Sequence, residues 1–335
     1  MKKRLLALLL AGTMCCSLAA CGGEPAANAD GDDTGTAAGD AASADTGADG
    51  KIKVGFVVKS LADQYWILMK AGAEATAAEL GAEVSFVGPN SESDVQMQVD
   101  MIENMLAQGV NVLCVAPSSQ DAVLPAFEKA DQGGVKVLAV DTDTTFEKKV
   151  TFIGTGNEAA GEISGQYAAE AVGAGAKAVV IRGRMGDKTH DDREAGIVKA
   201  LEAGGVEIIE VKAADSETEK AMNITQDIMQ RHTQIDAILA TADHMAQGAQ
   251  RAVEAAGLDT AIMGFNGSNP AVELVLDGKM AGTVAQSPYN MGAMGVENAV
   301  KAAKGEQIET RIDTGAEVIT AENGEEYLKM VASYS

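Results

Sequence analysis

A chain of 335 residues exceeds one typical domain, so two are expected. Its net charge of −23 and pI near 4.4 argue against binding nucleic acid or an anionic membrane through the body of the protein. With 46% hydrophobic residues but only 4% aromatic ones, Ala, Gly, Val and Ile must do the packing, which favours α/β layers in close contact.

The first twenty residues read as an export signal: a basic start at Lys2, Lys3 and Arg4, an apolar run over 5–10, and the small residues Leu18-Ala19-Ala20. The run is too short for a permanent membrane helix. Leu18-Ala19-Ala20-Cys21 resembles a bacterial lipobox, which implies cleavage before Cys21 and lipid attachment to its sulfur. Cys15 and Cys16 leave with the signal and Cys114 stands alone in an apolar strand, so no disulfide is available. Cys114 reads as a small buried hydrophobe. Residues 22–50 are Gly, Ala, Asp, Thr and Ser almost throughout, with seven acidic residues and no basic ones. The segment 21–50 therefore reads as a disordered acidic linker, which would hold the body about 30 Å from its anchor.

From Lys51 the pattern is strand, loop, helix, repeated. Residues 52–58 form a short β-branched run, and a helix follows near 64–80 with Tyr65, Ile67, Leu68, Ala71 and Ala75 at helical spacing. The loop between them holds Lys59 and Asp63, with Tyr65 and Trp66 just beyond. Cations and carboxylates that grip hydroxyls, beside rings that cover C–H faces, suit a small polyhydroxylated ligand. Further strands are expected at 82–87, 110–116, 135–140 and 150–154, with helices near 93–108 and 121–132. In helix 93–108, Val95, Val99, Ile102, Met105 and Leu106 lie on one stripe, while Glu92, Asp94 and Asp100 face away. A second series has strands at 177–182, 206–211, 235–240 and 260–265, and helices near 157–172, 192–204, 217–231 and 244–256. This alternation implies α/β architecture: parallel sheets flanked by helices, in two similar lobes. A last helix near 290–304 lies between the late segments 279–287 and 311–320.

Several motifs invite chemistry without completing it. Gly154, Gly156 and Gly161 miss the G-x-G-x-x-G spacing, and there is no P-loop lysine motif and no G-x-S-x-G elbow. The run 187–193 offers His190 and three carboxylates but no spaced His/Cys pattern, so it reads as a solvated helix start rather than a metal site. His232 and His244 read as surface residues. No cofactor and no catalytic residue is expected.

Residues 51–320 resemble the periplasmic sugar-binding proteins of ABC transporters, in the group that includes ribose- and allose-binding proteins. The resemblance runs through VVKSLADQYW at 57–66, VAPSSQDAVLPAFEKA at 115–130, VLAVDTD at 137–143, GTGNEAAGE at 154–162 and DDREAG at 191–196. It continues through ILATADHMAQGAQRAV at 238–253, MGFNGSNP at 263–270 and DGKMAGTVAQSPYNMG at 277–292. It implies the type I periplasmic binding protein fold: two Rossmann-like lobes joined by a three-strand hinge. Residues 51–154 with 287–315 would form the N-terminal lobe, and 155–286 with 316–335 the C-terminal one. Carried over by position, ligand contacts fall on Lys59, Asp63, Tyr65, Trp66, Asp141, Thr155, Arg193, Asn266 and Gln286, with Arg184 added near the cleft. Asp141 and Arg193 match acidic and basic grips on sugar hydroxyls, one from each lobe. Lys59 with Trp66 is closer to the allose-type pattern.

The departures from that pattern bear on the ligand. Ala116, Thr142, Ser216 and Ala242 stand where ribose-type proteins place Asn, Arg, Phe and Asn, which argues against ribose itself. Arg184, His190 and Asp191 are unusual additions that suggest a differently decorated or more acidic ligand. The expectation is a monomeric, lipid-anchored protein on the outer face of the bacterial cytoplasmic membrane. It would deliver a monosaccharide or polyol to an ABC permease and touch neither nucleic acid nor, beyond its anchor, the membrane. A sensor component presenting sugar to a chemoreceptor or histidine kinase, and a surface glycosidase, are the alternatives.

Overall fold

The computed structural model describes residues 50–334; Cys21 and the segments expected to be an export signal and a linker, except Gly50, lie outside the described residues. The chain begins with β1 (Lys53–Val57), α1 (Gln64–Leu80), β2 (Glu83–Val87), α2 (Val95–Ala107), β3 (Val112–Val115), α3 (Gln120–Gln132), β4 (Lys136–Val140) and β5 (Phe152–Gly154). It continues with α4 (Asn157–Val172), β6 (Lys177–Arg182), α5 (Lys188–Ala203), β7 (Glu207–Ala213), α6 (Thr218–Arg231) and β8 (Ala237–Ala240). After α7 (Asp243–Ala256), β9 (Ala261–Asn266), α8 (Asn269–Leu276) and β10 (Gly282–Ala285) come α9 (Pro288–Ala303), β11 (Arg311–Asp313), β12 (Glu317–Ile319) and α10 (Gly324–Ala332).

The strands form two six-stranded sheets, in the orders β11-β5-β4-β3-β1-β2 and β12-β10-β9-β8-β6-β7. Every pairing is parallel except that of β12 with β10. The two α/β lobes expected from the alternating pattern are therefore present. In each, the first strand lies between the second and the third, so two loops diverge from the carboxyl ends of its central strands. That divergence opens the crevice in which open α/β sheets hold ligands. The chain passes between the sheets three times, through 154–157, 285–288 and 313–317. These crossings are loops bounded by strand ends, not continuous strands.

The central strands are buried along their whole length, as the runs VLCV in β3 and AILA in β8 require of strands covered on both faces. Cys114 is among them, fully buried, and burial pushes its thiol pKa up, so it is an inert core residue. Small residues let helices approach closely. A Cβ on Gly72 would lie 2.0 Å from the Tyr289 carbonyl oxygen, and one on Gly292 would lie 1.9 Å from that of Met69, so α1 and α9 touch backbone to backbone. No helix among the described residues is long and apolar enough to cross a membrane.

Some expectations differ from the structure. Helix α1 buries Tyr65, Trp66, Met69, Gly72, Ala73 and Ala77, whereas Ile67 and Ala75 are exposed. The stripe is rotated from the expected one because α1 is apolar or alanine on nearly every side, which leaves its phase to the packing against α9. Helix α5 begins at Lys188, four residues earlier than expected, because Asp187 caps it by accepting from the Thr189 amide. Helices α8 and α10, of 8 and 9 residues, were not anticipated; neither is long enough to establish a period.

Candidate functional site

The lobes meet across a small cavity of about 20 Å³, lined by Tyr65, Trp66, Glu92, Asp141, Thr189, His190, Arg193, Ala242 and Asn266. That is room for about one water molecule, so the lobes must part to admit any larger ligand.

The first lobe supplies a carboxylate and two rings. Asp141 follows the last residue of β4 with φ at 65°, held there by its amide donating to the Ile153 carbonyl at 2.8 Å. Its carboxylate accepts from the Tyr65 hydroxyl at 2.6 Å and from the Thr142 hydroxyl at 2.7 Å. Burial first, and then the Asp141 charge, push the Tyr65 phenol well above its usual pKa, so it remains a donor. Trp66 stands edge-on to Tyr65 with ring centroids 4.9 Å apart; it both packs into the core and lines the cavity. The loops that carry this wall are tied by Gln98, a fully buried side chain in α2. Its amide donates to the carbonyls of Val58 and Ala116 and accepts from the Ser118 amide. A polar residue on the buried stripe of α2 breaks the hydrophobic pattern, and that break was the one available signal for it.

The second lobe supplies the cation. Arg193 in α5 donates from Nε to Asn157 at 2.9 Å, and from Nη1 to the Thr241 carbonyl at 3.0 Å and Asn266 Oδ1 at 3.3 Å. Its guanidinium lies 3.8 Å over the Phe265 ring. Glycines set this geometry: Gly196 and Gly161 bring α4 and α5 so close that a Cβ on Gly196 would lie 2.0 Å from the Glu158 carbonyl oxygen. Gly161, part of the incomplete dinucleotide motif, thus serves helix packing. Asn266, at the end of β9, has φ at 125°, and Gln286 donates to its Oδ1 at 2.8 Å. Positive φ at a non-glycine residue is costly and concentrates at ligand clamps. Here it occurs at Asp141 in one lobe and Asn266 in the other.

Of the residues assigned from sequence, Tyr65, Trp66, Asp141, Arg193 and Asn266 come together on the cavity wall, with Gln286 one hydrogen bond behind. Four others point elsewhere. Lys59 crosses to the second lobe, where its ammonium lies 2.8 and 2.9 Å from the Asp187 oxygens and 3.2 Å from Thr189 Oγ1. Both members of that pair are only 2% exposed. Arg184 donates across the cleft to the Ser118 carbonyl. Asp63 faces His244 at 3.4 Å, and Thr155 bonds the Gly315 carbonyl at 3.2 Å in the crossing segment. His244 is thus an interlobe residue and not a surface one. His232 bonds Glu210 at 2.8 Å.

Glu92 and Thr189 on the wall escaped the sequence assignment, whereas His190, expected near the cleft, is on it. Glu92 precedes α2 instead of facing away on it, and its side chain reaches the cavity. The run 187–193 is a helix start, but a buried one: Asp187, Thr189, His190 and Arg193 are all buried. Asp191 is turned out, pairing with Arg182. Glu92, Asp187 and His190 each offer an atom within a 4.8 Å cluster that could hold a metal ion. The Lys59 ammonium already fills the cation position beside Asp187. Burial pushes Glu92 and Asp187 up, but His190 and Lys59 outweigh it at Glu92, and Lys59 outweighs it at Asp187, so both stay ionised.

His190 gives the cleft a pH dependence. Its Nδ1 lies 2.8 Å from Thr241 Oγ1 and its Nε2 3.2 Å from Ser216 Oγ, and burial holds its pKa below the ordinary 6.5. The unfolded chain protonates this residue first as pH falls, so stability is lost from about pH 6.5 downward through the folded pKa. The ligand-free melting temperature should fall over that window, with a contribution from this group of up to about 1.4 kcal/mol per pH unit. His190→Asn should flatten the fall; identical pH profiles for the variant and the parent would refute the assignment.

Two lobes that clasp a small polar cavity, with a carboxylate from one side and a guanidinium from the other, define a cleft-binding protein. Residues 54–307 match the family model for the periplasmic binding protein domain, and the chain belongs to that family. It is therefore a binding protein and not an enzyme. It is 31% identical over 262 residues to the ribose import binding protein of Escherichia coli (strain K12), covering 78% of this chain and 88% of that protein. Among solved structures it is similar to an ABC transporter periplasmic solute binding protein from Actinobacillus succinogenes 130z with bound D-allose. The TM-score is 0.78 at 29% identity, over 83% of this chain and 100% of that one. A solute binding protein from Agrobacterium vitis with bound D-fucose matches at TM-score 0.78 and 29% identity, over 81% of this chain and 96% of that one.

Proposed function

We propose that this protein is an extracytoplasmic solute-binding lipoprotein that captures a monosaccharide or related polyol between its lobes and delivers it to an ABC import permease. The single observation that carries the reading is the placement of Asp141 and Arg193 on the wall of one interlobe cavity, beside Tyr65 and Trp66. A carboxylate that accepts from hydroxyls, opposite a planar donor, orients a polyol, while the rings cover its C–H face. The lobes would divide at the three crossings, with α9 and β11 in the N-terminal one and β12 and α10 in the C-terminal one. Ligand would shift the open–closed equilibrium by its extra affinity for the closed form. The protein acts as a monomer, held to the outer face of the membrane by lipid on Cys21.

Two experiments test this reading. A thermal-shift screen with pentoses, hexoses, polyols and cyclitols should find at least one compound that raises the melting temperature by several degrees, since a ligand that binds the native state alone stabilises it. A flat response across all four classes would remove the sugar assignment. For the anchor, Cys21→Ala should release the protein into the medium or leave it unprocessed. Continued lipid labelling of that variant would rule out Cys21 as the attachment site.

A further inference from the structure

The carboxylates around the cavity are not equally partnered. Lys59 and Asp187 pair at 2.8 Å behind the wall, and Asp63 faces His244 at 3.4 Å. On the wall itself, the Arg193 guanidinium is offset by the opposite charge of Asp141. Lys59, which helps to keep Glu92 ionised, is bonded to Asp187 and Thr189, so among the described residues Glu92 has no hydrogen-bonded cation of its own. Its nearest charge partner is His190 Nε2 at 3.7 Å, beyond hydrogen-bond distance, on a ring that burial keeps neutral. The Glu92 side chain is 16% exposed and lines the cavity.

A carboxylate largely removed from water must be paired or hydrogen-bonded. A neutral hydroxyl could donate to Glu92 but would bring no charge to match it when the lobes close. A protonated amine would donate and neutralise at once. Trp66 and Tyr65 line the same cavity, and aromatic rings attract cations. The residues that point to an acidic ligand in the sequence do not support one here: Arg184 bonds the Ser118 carbonyl, His190 is neutral, and Asp191 pairs with Arg182.

We infer that the cleft takes a polyol bearing an ammonium group, an amino sugar or aminocyclitol, and that Glu92 is the residue that selects it. This rests on the reading of the cleft as a sugar or polyol site and narrows the ligand class of that site.

The test is calorimetric titration of the full chain at pH 7 with matched pairs: D-glucose and D-glucosamine, D-galactose and D-galactosamine, D-mannose and D-mannosamine, and myo-inositol and its mono-amino analogue. In at least one pair the amine should bind about tenfold or more tightly than its hydroxyl partner, and Glu92→Gln should reduce that ratio by about tenfold. Hydroxyl compounds that bind as tightly as their amines in every pair would overturn the inference and leave the sugar-binding reading standing. An amine preference that survives Glu92→Gln unchanged would overturn the role of Glu92. No binding by any member of either series would overturn both readings.

Discussion

Arg193→Ala and Asp141→Ala should each lower the affinity for the captured ligand by about 30- to several-thousand-fold. The range follows from the loss of about 2–5 kcal/mol when one partner of a buried, charged hydrogen-bonding contact is removed, at tenfold per 1.4 kcal/mol. Each residue also holds its own wall, so the ligand-free melting temperature should fall as well. Arg193 donates to Asn157, the Thr241 carbonyl and Asn266, and Asp141 accepts from Tyr65 and Thr142. Arg193→Lys separates the two effects. It keeps the charge but loses the planar fork, so affinity should still fall while more of the stability survives. The measurement is calorimetric titration with whichever compound the screen finds, beside melts of the unliganded variants. Parent-like affinity in Arg193→Ala or Asp141→Ala would place the binding site elsewhere.

The second large effect is expected at Lys59, which contacts the other lobe instead of the cavity. Lys59→Ala leaves the Asp187 carboxylate buried without its cation, a change that costs about 3–5 kcal/mol in a closed interior. Asp187 sits where the lobes meet, so opening can return it to water. The cost therefore falls on closure more than on folding. Ligand affinity should drop by about 150- to 5,000-fold, the same range of energy expressed as a ratio. Small-angle scattering in the presence of ligand should show a larger radius of gyration than for the parent. The double variant Lys59→Met with Asp187→Leu replaces the ion pair by apolar contact and should recover most of the loss. A Lys59→Ala variant that binds and closes like the parent, or a double variant no better than the single, would show that the pair does not control closure.

Much of the scaffold was legible because period and burial are local properties of the chain. Short β-branched runs such as VLCV and AILA, separated by helix-length amphipathic stretches, admit few arrangements other than parallel sheets with helical cover. Asp141 could be singled out because a lone carboxylate directly after an apolar strand lies at the end where open sheets bind. Lys59 could be seen as a functional cation, but not its partner, since Asp187 lies 128 residues away and belongs to the other lobe. Helix phase was legible only where polar residues marked the outer face. On α1, with alanine all round, it was not.

The sequence by itself determined the two α/β series, the class of cleft they make and the strand-end positions from which Asp141 and Asn266 reach it. Tertiary structure alone decided which side chains the cleft keeps for a ligand and which it consumes in holding the lobes together. Lys59, Arg184 and Asp63 went to interlobe partners, while Glu92 turned from the expected outer face of a helix into the cavity. The physical reason is that a charge is satisfied by whatever lies within about 4 Å of it in space. Between two lobes brought together only by three chain crossings, that neighbour is set by how the lobes close and leaves no trace in local spacing.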